Sequence, residues 1–135
     1  MSRLADYPLV IREAHVDSLG HMNNATYLAL FEEARWENIT RAGYGFSEIQ
    51  KLGKGPVILE VNLKFLRELH LRESIVIRSE VLDYAGKVGH MRQQMIKADG
   101  TVAAEAVFTF GLFDLQTRRL IEPTPEWLAA VGLKP

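Results

Sequence analysis

The sequence predicts an α+β fold in which one long, curved antiparallel sheet of five strands wraps around a single central helix. Three observations predict it. Only the stretch from residue 23 to about 42 carries apolar residues at helical spacing over several turns. Four strand-like runs joined by short turns follow it, and short turns make antiparallel neighbours. The last of these runs, residues 101–112, alternates without a break; at ~3.4 Å per residue, a strand of that length must bend around something. The sheet and the helix then bury their apolar faces on each other. A ferredoxin-like arrangement needs a second long helix between the later strands, and the sequence has none.

Each element has a local reason. Residues 7–16 read as a first strand of imperfect alternation, with Pro8 suited to a strand end or edge. Asp17-Ser18-Leu19-Gly20 is turn chemistry. Asn23 or Asn24 caps the helix. Tyr27, Leu28, Phe31, Ala34 and Ile39 share its apolar face, with Leu30 at the edge and Glu32, Glu33 and Thr40 opposite. Gly43 and Gly45 stop it. Trp36 falls on the polar side, either covered by a loop or kept for a contact between subunits. A short helix follows at residues 46–52, with Ser47 as its expected cap. Gly53 and Gly55 flank Lys54 in a loop.

In the first later strand Val57, Leu59, Val61, Leu63 and Phe65 alternate against Ile58, Glu60, Asn62 and Lys64. Residues 74–83 and 88–97 form the next two, divided by a turn at residues 84–87. Asp99-Gly100 is a hairpin signal. In the fifth strand Val102, Ala104, Ala106, Phe108, Phe110 and Leu112 face one way, and Thr101, Glu105 and Thr109 the other. Pro123 and Pro125 bracket a last short helix with Trp127, Leu128 and Val131.

Bulk composition narrows the function. A chain of 135 residues fits one domain, 1–135, with a core of its own. Net charge is −1, which is no footprint for nucleic acid. There is no cysteine, hence no disulfide framework, thiolate nucleophile or cysteine metal site. No run approaches the ~20 apolar residues of a membrane span, and the first ten residues lack a signal-peptide core. A cytoplasmic protein with no membrane partner is expected. A single sheet also leaves an edge bare, so a homodimer is expected, by edge pairing or as half of a homotetramer.

The chemistry concentrates between Asp17 and Arg35. Asp17 sits in a turn before Gly20 and a helix start. It is either a turn aspartate bonding its own backbone or a carboxylate that activates water or attacks an acyl carbon. A buried setting between subunits would raise its basicity. The first amides of the helix have no intrahelical partner, and the dipole favours negative charge there. The Asn24 amide is the candidate oxyanion donor, unless water or the Asn23 side chain simply caps the helix. His15, Asp17 and His21 would make a metal set only if His21 turned toward the other two; His21 otherwise holds local backbone. His70 and His90 have no evident partner. Lys64, Arg67, Arg72, Arg78, Lys87 and Arg92 form either a solvated face or a cradle for phosphates. There is no nucleophile elbow, Walker loop or dinucleotide fingerprint.

The run Asp17-x-x-Gly20-His21-Met22-Asn23-Asn24-x-x-Tyr27, followed by Phe31-Glu32-x-Ala34-Arg35, resembles the hotdog-fold acyl-CoA thioesterases of the 4-hydroxybenzoyl-CoA thioesterase type. The segment Val61-Asn62-Leu63-Lys64-Phe65-Leu66-Arg67 is similar to the strand after the helix in that family. The resemblance spans roughly residues 7–114. It implies a hotdog fold, dimers often paired into tetramers, and active sites at the dimer interface. It also implies that Asp17 is the catalytic base or nucleophile and that the Asn24 amide polarises the thioester carbonyl.

His15 departs from the pattern, because many members carry an acid there; a cationic or hydrogen-bonding His15 would depress the Asp17 pKa. The expected substrate contacts are Gly20, His21, Asn23, Tyr27, Lys64 and Arg67, with Phe31 and Glu33 shaping the site. An acyl-CoA is the expected partner, as substrate, with no metal or redox cofactor. A non-catalytic acyl-binding hotdog protein and a hotdog hydratase or dehydratase remain alternatives. Stabilisation by ligand without turnover would mark the first, and an absorbance change on an enoyl-CoA the second.

Overall fold

The computed structural model describes residues 2–134, so Met1 and Pro135 of the expected 1–135 domain lie outside it. The elements run β1 (Ser2–Arg3), β2 (Tyr7–Val10), a 3-10 turn (Glu13–His15), α1 (Asn24–Arg41), α2 (Phe46–Leu52), β3 (Lys54–Phe65), β4 (Ser74–Ala85), β5 (Val88–Lys97), β6 (Val102–Asp114), β7 (Arg119–Ile121) and α3 (Pro125–Ala130). One antiparallel sheet has the order β1-β4-β5-β6-β3, with β2 also on β4 and β7 on β6. The sheet is the expected one, with the two- and three-residue strands β1 and β7 added. Such short pieces carry too few residues for a periodic signal.

The sheet closes on α1. Tyr27, Leu30, Phe31 and Ala34 pack with Ile75 and Ile77 of β4, Met95 of β5, and Ala104, Ala106 and Phe108 of β6. Leu30 is central to this face and Leu28 lies at its exposed rim, the reverse of the expected order. Small residues along β6 let the helix approach closely. A second core closes the far end, where Trp127 of α3 lies edge-on to Tyr44 and Phe110 and donates its indole N–H to the Tyr84 hydroxyl at 3.2 Å.

Several boundaries move. The first strand ends at Val10, and Glu13–His15 turns as a 3-10 segment, so alternation no longer sets His15 beside Asp17. The cap of α2 is Gly45, with Ser47 already inside the helix. Lys54 and Gly55 are not loop residues: they begin β3, opposite Asp114 and Phe113. A bulge at Leu59 flips the parity of β3, with Ile58 opposite Phe110 and Glu60 opposite Thr109. Pro56 and Ile58 therefore join Val61, Leu63 and Phe65 on the inner face, and Val57 turns outward. A bulge preserves the apolar content of a strand, so simple alternation cannot reveal it.

Tyr7 ties β2 to the helix. Its hydroxyl donates to Glu33 Oε2 at 2.5 Å. The carboxylate acceptor and partial burial push the phenol from its ordinary 10.0 to about 12. A pKa raised by folding stabilises below the unfolded value and loses that stabilisation as pH climbs through the folded one. Tyr7→Phe should therefore lower the stability by about 1 kcal/mol at neutral pH. The gap should shrink between pH 10.0 and about 12. Thermal melts of both proteins across that range check it.

Candidate active site

Asp17 and the start of α1 are joined by one tight loop. The Asp17 N–H donates to the His21 carbonyl at 2.9 Å, and the Gly20 N–H to the Asp17 carbonyl at 3.0 Å. Gly20 holds φ +83°, a backbone conformation that side-chain-bearing residues rarely adopt. Asp17 Oδ1 accepts from the Leu19 N–H at 2.9 Å and the His21 N–H at 3.1 Å. Neither of these two bonds engages Oδ2.

Amide donors from His21 and Leu19 hold the carboxyl below its ordinary pKa. The side chain is exposed in the single chain. His15 Nδ1 accepts from the Arg12 N–H at 2.9 Å, so this ring nitrogen is engaged by the backbone three residues earlier.

Asn23 caps α1, with its side-chain oxygen accepting the Thr26 N–H at 3.0 Å. Among the described residues nothing accepts from the Asn24 and Ala25 amides. The Asn23 cap thus serves the third amide of the helix and leaves the first two without an acceptor among the described residues. The bonds that shape the Asp17 loop are the same ones that keep its carboxylate ionised.

The other predicted contacts separate into two groups. His21 is exposed, with Nε2 4.0 Å from Glu68 Oε1, which places the loop after β3 beside the helix start. Tyr27 is buried beneath this point and lies edge-on to Phe65, centroids 4.9 Å apart. Arg67 stands on the same loop as Glu68, its guanidinium donating, among the described residues, to the Leu66 carbonyl. Lys64 lies opposite Glu105 on the outer face of β3, away from the helix.

Three of the six basic residues are paired with carboxylates. Arg72 pairs with Glu13, Arg78 with Asp6 and Arg92 with Glu80. Glu33 is committed to Tyr7, and Phe31 lies in the core against Phe108. His90, expected to be alone, holds Asp83 at 2.7 Å. Among the described residues no group of three His, Cys, Asp or Glu side chains is placed to hold a metal ion.

One polar group in the interior was not anticipated. Arg35 donates to Gln93 Oε1 at 2.9 Å, and the fully buried Gln93 donates onward to the Phe31 carbonyl and Ser79 Oγ. The available signal was a cation one turn after Phe31, on the apolar side of the helix.

Comparison with known proteins identifies the family and the fold. A family model described as the thioesterase-like superfamily matches residues 11–131. The long-chain acyl-CoA thioesterase FadM of Escherichia coli (strain K12) is 30% identical over 112 residues, covering 82% of this chain and 84% of FadM. The probable thioesterase YbaW from Escherichia coli superposes with a TM-score of 0.83 at 27% identity, over 94% of this chain and 98% of that one. SAV2348 from Staphylococcus aureus, solved in complex with CoA, has a TM-score of 0.88 at 21% identity over 97% of this chain and 83% of that one, a likeness of fold alone. The chain has the hotdog fold and belongs to the thioesterase-like superfamily.

Proposed function

We propose that the chain, as one domain, is an acyl-CoA thioesterase of the cytoplasm that uses Asp17 as base or nucleophile and the Asn24 amide as oxyanion donor. The observation that carries this reading is an ionised carboxylate held in a loop that leads directly into a helix whose first two amides lack acceptors. The similarity to FadM supports it.

In the base mode Asp17 takes a proton from water as the water oxygen bonds to the thioester carbon. The carbonyl oxygen gains negative charge against the Asn24 amide. The C–S bond then breaks, and the thiolate leaves with the electron pair. In the nucleophile mode Asp17 itself bonds to the acyl carbon and expels the thiolate, and water cleaves the resulting anhydride. Thiolate leaves readily, so one carboxylate and one oxyanion donor suffice. His21, Gly20, Asn23, Tyr27 and Arg67 border this point, with Arg67 the cation best placed for a CoA phosphate.

The reading includes a homodimer formed along β3, which further pairing would make a tetramer. Among the described residues β3 is paired by β6 on one edge only, and its Ile58, Leu59, Val61 and Phe65 are exposed. An edge strand of twelve residues that carries these exposed apolar side chains is a template for a second chain. Sedimentation at micromolar concentration should give twice the chain mass of 15.3 kDa. A clean monomer would remove the dimer from the proposal.

The activity is tested by free-thiol release from a panel of acyl-CoAs. Release from any of them supports the reading. Hydration of an enoyl-CoA, or thermal stabilisation by acyl-CoA with no release, overturns it.

A further inference from the structure

Asn38 lies on the buried side of α1, one turn after Ala34, and is only 6% exposed. Its amide Nδ2 and Oδ1 are both closed to water, and neither has a hydrogen-bond partner among the described residues. An unpaired buried amide costs free energy, so its place in the fold calls for a reason.

Asn38 lines a cleft of about 320 Å³ between the C-terminal ends of α1 and α3 and the segment that leads from β1 to β2. That volume is at the lower limit of small-molecule sites. Ala42, Ala129 and Ala130 are small walls that take up little of the space. The lining also holds Arg3 and Arg41 and, among the described residues, no acid. Arg41 is three residues after Asn38, which sets their Cβ atoms ~5–6 Å apart on one side of the helix. Arg41 contacts Glu37 at 3.0 Å. Arg3 shares the Asp6 carboxylate with Arg78, so those three groups carry one positive charge in excess. A guanidinium has five N–H donors, and Arg3 and Arg41 each use one in these contacts.

The cleft is remote from the Asp17 loop and from β3. Asn38 follows Asn24 by fourteen residues, ~21 Å along the helix axis. β1 is at one end of the strand order and β3 at the other, so pairing along β3 engages the far edge of the sheet.

An asparagine amide offers one donor and one acceptor side by side. An inorganic anion can only accept, and an ammonium can only donate. Adenine presents the complementary pair, its N6–H and N7, and takes an Asn amide in two bonds. Guanine presents two acceptors on the same edge. Arginine matches phosphate oxygens in the same two-bond manner.

We propose that this cleft binds an adenine mononucleotide, with Asn38 pairing with the base and Arg3 and Arg41 holding the phosphate. Because the amide is shut in, the nucleotide reaches it by displacing a wall. The wall at residues 3–5 is held most lightly. β1 pairs with β4 at two residues, and the Leu4 amide adds one bond to the Ser79 carbonyl.

The test is calorimetric titration of the full chain with AMP, adenosine and GMP. AMP should bind saturably, at least about tenfold more tightly than GMP, the discrimination that one two-bond base contact provides. Adenosine should bind more weakly than AMP. Asn38→Leu keeps a similar volume and removes the orphaned amide. It should stay folded, melt no lower than wild type and lose at least about tenfold in AMP affinity. Arg41→Met should weaken AMP and leave adenosine unchanged. No saturable binding of AMP at millimolar concentration overturns the proposal and leaves Asn38 to an ordered water. Equal affinities for AMP and GMP overturn it, and so does an unchanged AMP affinity in Asn38→Leu. If Asn38→Leu does not fold, the AMP-to-GMP ratio and Arg41→Met still decide.

A free nucleotide and the adenine end of CoA share this chemistry. Thiol release from an acyl-CoA with and without AMP separates the two sources. A rise in KM at constant kcat that Asn38→Leu abolishes assigns the cleft to the substrate's own nucleotide. An unchanged KM assigns it to a separate one. Binding is read without turnover, so the proposal stands or falls apart from the thioesterase reading.

Discussion

Asp17→Asn is expected to give a folded protein whose acyl-CoA hydrolysis is slower by about 10²- to 10⁴-fold in kcat, the range that a positioned general base contributes. The substitution is mild for structure. Asn keeps an oxygen where Oδ1 accepts the Leu19 and His21 amides, so the turn and the entry to α1 hold. It removes the charge and the basicity, and with them either mode of attack. Matching circular dichroism and melting curves beside lost thiol release would place the chemistry at Asp17. Wild-type turnover in the variant would end the mechanism.

The pH profile bears on the same residue. Backbone donors hold Asp17 ionised below the usual carboxylate range, and ionisation is what both modes require. Activity lost on acidification should therefore return on neutralisation, and its acid limb should lie below the ordinary 3.8 of an aspartate as long as the residue stays as solvated as in the single chain. A limb well above that value would report burial of Asp17 by a partner subunit or by substrate.

Asn24→Pro is the second large effect. It should cut kcat by about 10²- to 10³-fold, the loss measured when one oxyanion donor is removed. Asn24 is the first residue of α1, where proline is well tolerated because its missing N–H has no helical partner. Asn23 already holds φ −78° and ψ 165°, the extended conformation that a following proline demands. Helix content should thus be retained while the donor disappears. Asn24→Ala keeps the N–H and should lose far less, which separates the amide from the side chain. Equal losses in the two variants would assign the effect to the Asn24 side chain instead.

Much of the fold was legible because its signals are local. The unbroken alternation of β6 marks a long inner strand, and Asn23 ahead of an apolar run marks the start of α1. Asp99-Gly100 marks the hairpin between β5 and β6, where Gly100 takes φ +89°. The candidate site was legible for the same reason: Asp17, Gly20 and Asn24 lie within eight residues, and their turn and cap chemistry is written in their own side chains.

Tertiary structure decided what depends on register and on distant partners. The bulge at Leu59 chooses which β3 side chains share the inner face of the sheet. Arg72 pairs with Glu13 and Arg78 with Asp6, carboxylate partners 59 and 72 residues away that no local pattern names. Arg35 meets Gln93 only because β5 passes beneath α1. Turns, caps and periodicity are set by neighbours along the chain, so the sequence states them directly. A cavity, a cross-strand ion pair or a half-satisfied guanidinium exists only after the sheet has curled around the helix and placed strangers side by side.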